Sequence, residues 1–194
     1  QERQRLARDL HDAVSQTLFS VSVVAVEMPR IHAKDPAQAS QRLEELRLLT
    51  RGALAEMRTL LLELRPAALA EASLPDLLRQ LSEAVAGRSR IPVTVDAGPC
   101  LDLPTDVRIA FYRIAQEALN NIAKHSSATA ASVRLECADV VSLTVEDDGV
   151  GFDSTARSAG QLGMGIMRER ANSIGARLHV NSAPGAGAHV RVEW

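Results

Sequence analysis

The sequence predicts an α+β chain: a long antiparallel helical hairpin followed by a two-layer α/β sandwich. Three observations predict it. Apolar residues recur at intervals of three and four through the first third of the chain, the spacing of one helical face. Beyond Pro66 the pattern changes to short β-type segments that alternate with shorter helices. Glycine-bearing loops, rather than further helix, join those segments.

The first helix is marked by Leu6, Leu10, Val14, Leu18, Val21, Ala25 and Met28, and Pro29, which lacks an N–H, is expected to kink or end it near Ile31. Asp35-Pro36 supplies an N-cap and a proline at the first helical position, opening a second helix. There Leu43, Leu46, Thr50, Ala53, Met57, Leu60 and Leu64 alternate by three and four in heptad fashion until Pro66. A hairpin of two such helices leaves Leu48, Leu49, Leu54, Leu61 and Leu62 outside a single seam. Pairing two hairpins into a four-helix bundle buries that surface, so a homodimer is expected.

After the boundary, Ser73-x-x-Asp76 opens a helix to about Val85, followed by a strand over Ile91 to Asp96 and a helix over Pro104 to Lys124. Strands follow over Ala130 to Cys137 and Val140 to Glu146. A helix from about Gly165 to Ile174 and strands over Arg177 to Asn181 and His189 to Glu193 complete the chain. The domains expected are residues 1–68 and 69–194.

Composition narrows the function classes. Hydrophobic content of 46% is enough for packed cores, and a net charge of -2 provides no basic field for nucleic acid, so direct nucleic-acid binding is not expected. No apolar run approaches the roughly 18 to 20 residues of a membrane span, and no signal peptide is visible. Cys100 and Cys137 lack C-x-x-C spacing, so reduced thiols in a cytoplasmic protein are expected rather than a disulfide framework. Helical periodicity is already under way at Gln1, which suggests a fragment of something longer, with any membrane attachment supplied by parts absent from it.

The chemistry-bearing residues of the second half lie on one helix and three loops. Glu117, Asn121, Lys124 and His125 fall at i, i+4, i+7 and i+8, beside the apolar arc of Phe111, Ile114, Ala115, Ala118, Leu119 and Ile122. Carboxylate and carboxamide oxygens with an ammonium suit Mg²⁺ plus phosphate, although such a stripe alone is also what a solvated helix face looks like. A strand then enters Asp147-Asp148-Gly149-Val150-Gly151, where Asp147 can accept from an exocyclic amine and the glycines let backbone approach a ligand. Gly163-Met164-Gly165 opens a helix whose N–H groups suit phosphate, and Pro184-Gly185-Ala186-Gly187 fits a turn between strands.

In this order, E-x-x-x-N-x-x-K-H, D-x-G-x-G, G-x-G and P-G-x-G resemble the ATP-binding domains of the GHKL (Bergerat) type. The resemblance implies ATP and Mg²⁺ as cofactors, with Asn121 on the metal, Lys124 and His125 near the phosphates, and Asp147 on the adenine amino group. Gly163 and Gly165 would flank the phosphates, and residues around Phe152 to Leu162 would form a lid. Glu117 would activate water or help bind metal, two roles the sequence leaves open. Met167-Arg168-Glu169-Arg170-Ala171 resembles the M-R-E-R-A of the nitrate-sensor and DesK-like histidine kinases. Ala188 stands where that class often has threonine, which puts Gly185 and Gly187 in doubt as ligand contacts.

The first helix carries a second signature. Glu2-Arg3-x-Arg5-Leu6-Ala7-Arg8-Asp9-Leu10-His11-Asp12-x-x-x-Gln16 is similar to the phosphoacceptor box of that class, and Leu64-Arg65-Pro66 to the end of its second helix. Imidazole is nucleophilic and substantially neutral near pH 7, so His11 suits attack on a phosphoryl group. The resemblance implies that Asp12 acts as its base, that Gln16 serves dephosphorylation of a partner, and that the partner is the receiver domain of a response regulator.

Overall fold

The computed structural model describes residues 22–64, 69, 71–100, 103–152 and 161–194. His11, Asp12, Gln16 and the Arg65-Pro66 step lie outside the described residues. The elements are α1 (22–34), α2 (Pro36–Leu64), α3 (Leu74–Ser89), β1 (Val93–Ala97), α4 (Thr105–Asn121), β2 (Ala131–Cys137), β3 (Val141–Asp147), α5 (Gln161–Ser173), β4 (Arg177–Ser182) and β5 (Ala188–Glu193). This is the mixed α+β order that the sequence predicts.

Asp35 alone separates α1 from α2, and it caps α2 as expected. Its Oδ1 accepts from the N–H groups of Ala37 at 2.9 Å and Gln38 at 3.0 Å. Pro29 does not end α1, which stays helical through residue 34. The ring removes one i→i−4 bond, and the turns on either side carry the helix past it. Ser73 caps α3, its hydroxyl accepting from the N–H of Asp76 at 3.3 Å and donating to the Asp76 carboxylate at 2.6 Å.

Two glycines set the contact between α2 and α3. A Cβ on Gly52 would lie 2.4 Å from the Gly87 Cα, and one on Gly87 would lie 2.3 Å from the Gly52 Cα. The two backbones therefore touch, with the small buried side chains of Ala55 and Ala84 on the same two helices. On the remainder of α1 and α2, Val26 is 78% exposed, Leu43 58% and Leu54 44%.

The sheet runs β1-β2-β3-β5-β4, with β1 parallel to β2 and every other pair antiparallel. Ala131, Val133, Leu135, Leu143, Val145, Val190 and Val192 point inward onto α3, α4 and α5. The alternate positions carry charge and hydroxyl to the other face: Arg134 and Glu136 on β2, Thr144 and Glu146 on β3, His189, Arg191 and Glu193 on β5. One buried and one solvated face is the usual solution for antiparallel strands. The predicted arc of α4 forms the centre of the core, with Phe111, Ala115 and Leu119 fully buried and Ile114 at 1% exposure. Each large apolar side chain so placed contributes about 1.5–3 kcal/mol.

Helix α3 runs four residues past its expected end at Val85, and two further boundary differences lie at the site. The α-helix of α4 stops at Asn121, and Ile122–Ser126 forms a π-helical turn in place of helix to Lys124. Helix α5 starts at Gln161, four residues ahead of Gly165. The cysteines also differ: Cys100 and Cys137 are joined as a disulfide with a Cα–Cα separation of 5.5 Å. Sequence spacing could not show this, because the pairing is made across the sheet. Strands β1 and β2 run parallel with Ala97 opposite Leu135, so Cys100 and Cys137 leave the sheet at the same end.

Two outcomes follow from this packing. Cys100→Ser is expected to lower the unfolding free energy by about 2–4 kcal/mol, the range for closing a loop of this size, in denaturant titrations without reductant. Gly87→Ala gains about 1 kcal/mol in helix propensity. It nevertheless forces α2 and α3 apart, so a net fall in the calorimetric melting temperature is expected; a rise would refute the backbone contact.

Candidate functional site

The inner face of the sheet leaves an open cleft of about 700 Å³ between α4, its π-helical turn and the first turns of α5. Ile122, Val145, Met167, Val180 and Val190 form its apolar floor, and Phe152, 37% exposed, stands at its side. Glu117, Asn121, Lys124, His125, Asp147, Gly151 and Gly163 all line it. The structure therefore brings together seven of the nine cleft positions expected from the sequence, all but Gly149 and Gly165.

The π-helical turn explains how Lys124 and His125 reach the cleft. A wider turn than the α-helix rotates them relative to Glu117 and Asn121, which remain on regular helix; such turns recur at functional sites. Ser127 closes it in the left-handed region, at φ 49°, an uncommon conformation for a non-glycine residue. The buried Ser126 hydroxyl donates to the carbonyl of Ile122 at 2.8 Å and accepts from the Ala128 N–H at 3.1 Å, holding the exit of the turn.

Strand β3 delivers Asp147 to the apolar end of the cleft. Its Oδ1 accepts from the N–H of Gly149 at 2.9 Å. Burial pushes its carboxyl above the usual carboxylate range, the Gly149 and Ala188 amides pull it back, and the Asp148 charge adds to the rise. Asp148 points elsewhere, accepting from the Thr129 N–H at 2.7 Å, the Ala130 N–H at 2.9 Å and the Thr129 hydroxyl. It ties the start of β2 to the end of β3 and is a structural residue.

The glycines divide into two groups. Gly151 and Gly163 face the cleft, whereas Gly149 and Gly165 are not among its lining residues. A Cβ on Gly149 would lie 2.2 Å from the carbonyl oxygen of Ser126, which accepts from the Val150 N–H at 2.7 Å. Gly149 thus serves the approach of backbone to backbone. Gly163 and Gly165 are the third and fifth residues of α5. Gly187, at φ 67°, packs on the Asp147 carbonyl and donates its N–H to Gly149 at 2.9 Å; Gly185 donates to Val150 at 2.6 Å. The Pro184–Gly187 turn therefore braces the Asp147–Gly151 loop from outside the cleft.

Helices α4 and α5 cross so that Arg113, Glu117 and Asn121 on one meet Gly163, Met167 and Arg170 on the other. The Glu117 carboxylate and the Asn121 carboxamide lie at the Gly163 end, where a Cβ would come 2.2 Å from Glu117 Oε1. Partial burial lowers the Arg170 guanidinium, the Arg113 charge adds to that, and Glu117 opposes it. Among the described residues no group of three or more His, Cys, Asp or Glu side chains could hold a metal alone. Two protein oxygens beside a phosphate-sized space suit Mg²⁺, which keeps water and phosphate oxygens as its other ligands.

Sequence reasoning missed the apolar floor. Its signal was present for one residue: Val145 lies two before Asp147 on β3, so it shares a face with a predicted site position.

Family comparison agrees with this geometry. Residues 2–69 match the model described as histidine kinase, and residues 106–194 match that of the histidine kinase-, DNA gyrase B- and HSP90-like ATPases. The chain belongs to the histidine kinases. Sensor protein VraS of Staphylococcus epidermidis is 34% identical over 194 residues, and that of Staphylococcus saprophyticus is 34% identical over 193. The chain is matched over 99% of its length in each comparison but spans only 55% of each relative's length. The histidine kinase domain of the blue-light activated kinase from Erythrobacter litoralis EL346 superposes with a TM-score of 0.56 at 22% identity, covering 99% of this chain and 93% of that one. Full-length ShkA in complex with AMPPNP superposes with a TM-score of 0.51 at 19% identity, over 98% and 45%. These two likenesses bear on the fold alone. The ATPase-type family match makes the second half of the chain an ATP-binding domain.

The raised Asp147 carboxyl gives a pH signature. A folded pKa above the unfolded value stabilises the fold at low pH, and that contribution is lost as pH rises through the folded value. Asp147→Asn is therefore expected to raise the melting temperature of the nucleotide-free protein at neutral pH. The difference should shrink on acidification, followed by thermal denaturation across a pH series.

Proposed function

We propose that this chain is the catalytic core of a two-component sensor kinase: Mg-ATP binds in the cleft, His11 attacks the γ-phosphate, and the phosphoryl group passes to an aspartate on a response-regulator receiver domain. The observation that carries the proposal is the arrangement of the cleft. Its apolar end holds a carboxylate suited to an amine-bearing base, and its polar end holds Glu117, Asn121, Lys124 and His125 around space for phosphates. The matched family segment at residues 2–69 contains His11.

In this reading residues 1–68 form the phosphoacceptor and dimerisation unit and residues 69–194 the ATP-binding unit. Asp147 accepts from the adenine amino group, with Val145, Val190 and Met167 against the ring. Asn121 and Glu117 offer oxygens to Mg²⁺, which neutralises phosphate charge when bound. Lys124 and His125 approach the phosphates, and Gly163 lets the α5 backbone come close to them. Asp12 draws the proton from His11, and Gln16 orients water for dephosphorylation of the partner. The exposed Val26, Leu43 and Leu54 support a homodimer that covers the helical face.

Incubation with γ-labelled Mg-ATP is expected to give an acid-labile, base-stable phosphoprotein. His11→Gln should abolish the label yet leave nucleotide affinity within about twofold, because donor and acceptor sites are separate. Asp147→Ala should weaken ATP binding by roughly 10- to 100-fold, the cost of a charge-assisted hydrogen bond, measured by calorimetry. Label that survives His11→Gln would refute the phosphoacceptor assignment, and ADP release without label would favour a simple ATPase.

A further inference from the structure

The outer face of the sheet carries a second cleft, of about 650 Å³, at the end remote from the nucleotide site. Cys137 forms part of its wall, with Glu136, Ser142, Arg177, Arg191 and Glu193. Cys137 pairs with Val141 at one end of the β2–β3 ladder, and Ala131 with Asp147 at the other, roughly 20 Å away along the strand. We propose that this cleft docks a low-molecular-weight thiol bearing two carboxylates and one ammonium, which reduces the Cys100–Cys137 bond by thiol–disulfide exchange. The proposal does not depend on the kinase reading.

The two sulfurs are not equivalent. Cys137 is exposed at the hairpin while Cys100 is half-buried against the core, so an incoming thiolate attacks the Cys137 sulfur and Cys100 leaves as thiolate. A second thiol then attacks the external sulfur of the mixed disulfide and releases Cys137. The sum is one protein disulfide and two thiols giving two protein thiols and one small-molecule disulfide, with two electrons and two protons transferred.

The charges beside Cys137 suit such a ligand. Arg191 Nε lies 2.9 Å from Glu193 Oε1, Arg177 is 4.0 Å and His179 3.9 Å from Glu193 Oε2. One carboxylate thus faces two guanidiniums and an imidazole. Arg191 Nε is buried, and among the described residues its N–H is aimed at no acceptor despite that short distance. The Arg191 and Arg177 side chains are 40% and 78% exposed, so the outer nitrogens of both guanidiniums can meet an external carboxylate. Glu136, whose Oε2 accepts from the Ser142 hydroxyl at 3.2 Å, is placed to take an ammonium. The volume is in the range for small-ligand sites.

The chain purified without reductant should show no free thiol on titration in denaturant; two thiols would overturn the proposal. Reduction is then timed with glutathione and, separately, with uncharged 2-mercaptoethanol. Replacing both arginines, Arg177→Gln with Arg191→Gln, should slow glutathione roughly tenfold through lost electrostatic docking. Reduction by 2-mercaptoethanol should change by less than about twofold, since the sulfur chemistry is untouched. Equal effects on the two reductants, or none on glutathione, would overturn it. An unaltered melting temperature of the double variant before reduction shows that the fold is intact.

Discussion

The Val150 N–H donates to the Ser126 carbonyl at 2.7 Å, and most of the nucleotide cleft depends on that hydrogen bond. It joins the loop leaving β3 to the π-helical turn ending α4, the two elements that supply Asp147 on one side and Lys124 and His125 on the other. The approach is closer than any side chain at residue 149 permits, which makes glycine there a requirement of the backbone rather than of a ligand. Behind it, the Gly187 N–H on the Gly149 carbonyl and the Gly185 N–H on the Val150 carbonyl brace the same loop from the β4–β5 turn. Three turns are thus held by backbone bonds before any nucleotide enters, so the cleft is largely pre-organised.

The sheet divides labour between its faces and between its ends. Its inner face buries apolar side chains against three helices, and its outer face carries a lattice of charges including Arg134 with Asp96 at 3.5 Å and His189 with Glu146 at 3.1 Å. Exposed pairs of this kind add little stability individually. Along the strands, the nucleotide residues lie at the Asp147 end and the disulfide at the Cys137 end. A covalent change at one end therefore acts on the other only through the ladder and α4. The Gly52–Gly87 contact adds a second junction, connecting α2 to α3, whose other face packs in the core of the sandwich.

Much of this was legible in the amino-acid order. Helix and strand periods are set by burial of one face, so the arc from Phe111 to Ile122 and the alternation through β2 and β3 identify their elements without a structure. The ordered motifs from Glu117 to Gly187 identify a nucleotide-type site because each motif constrains backbone approach or donor chemistry locally. Where the reading went astray, the cause was non-local. Helix α5 begins ahead of its glycines, and the two cysteines meet because parallel strands end side by side.

What the sequence determined by itself is the α+β class, the family, and which polar residues would gather in one cleft, since these follow from residue type and short-range spacing. Only the tertiary structure decided which glycines line the cleft, because Gly149 and Gly151 are two residues apart and differ in backbone conformation, φ 60° at Gly151, and in what lies opposite. It alone decided that Val145, Val180 and Val190 floor the site and that Cys100 reaches Cys137. Those are contacts between segments distant in the chain, and no local spacing encodes the register that brings them together.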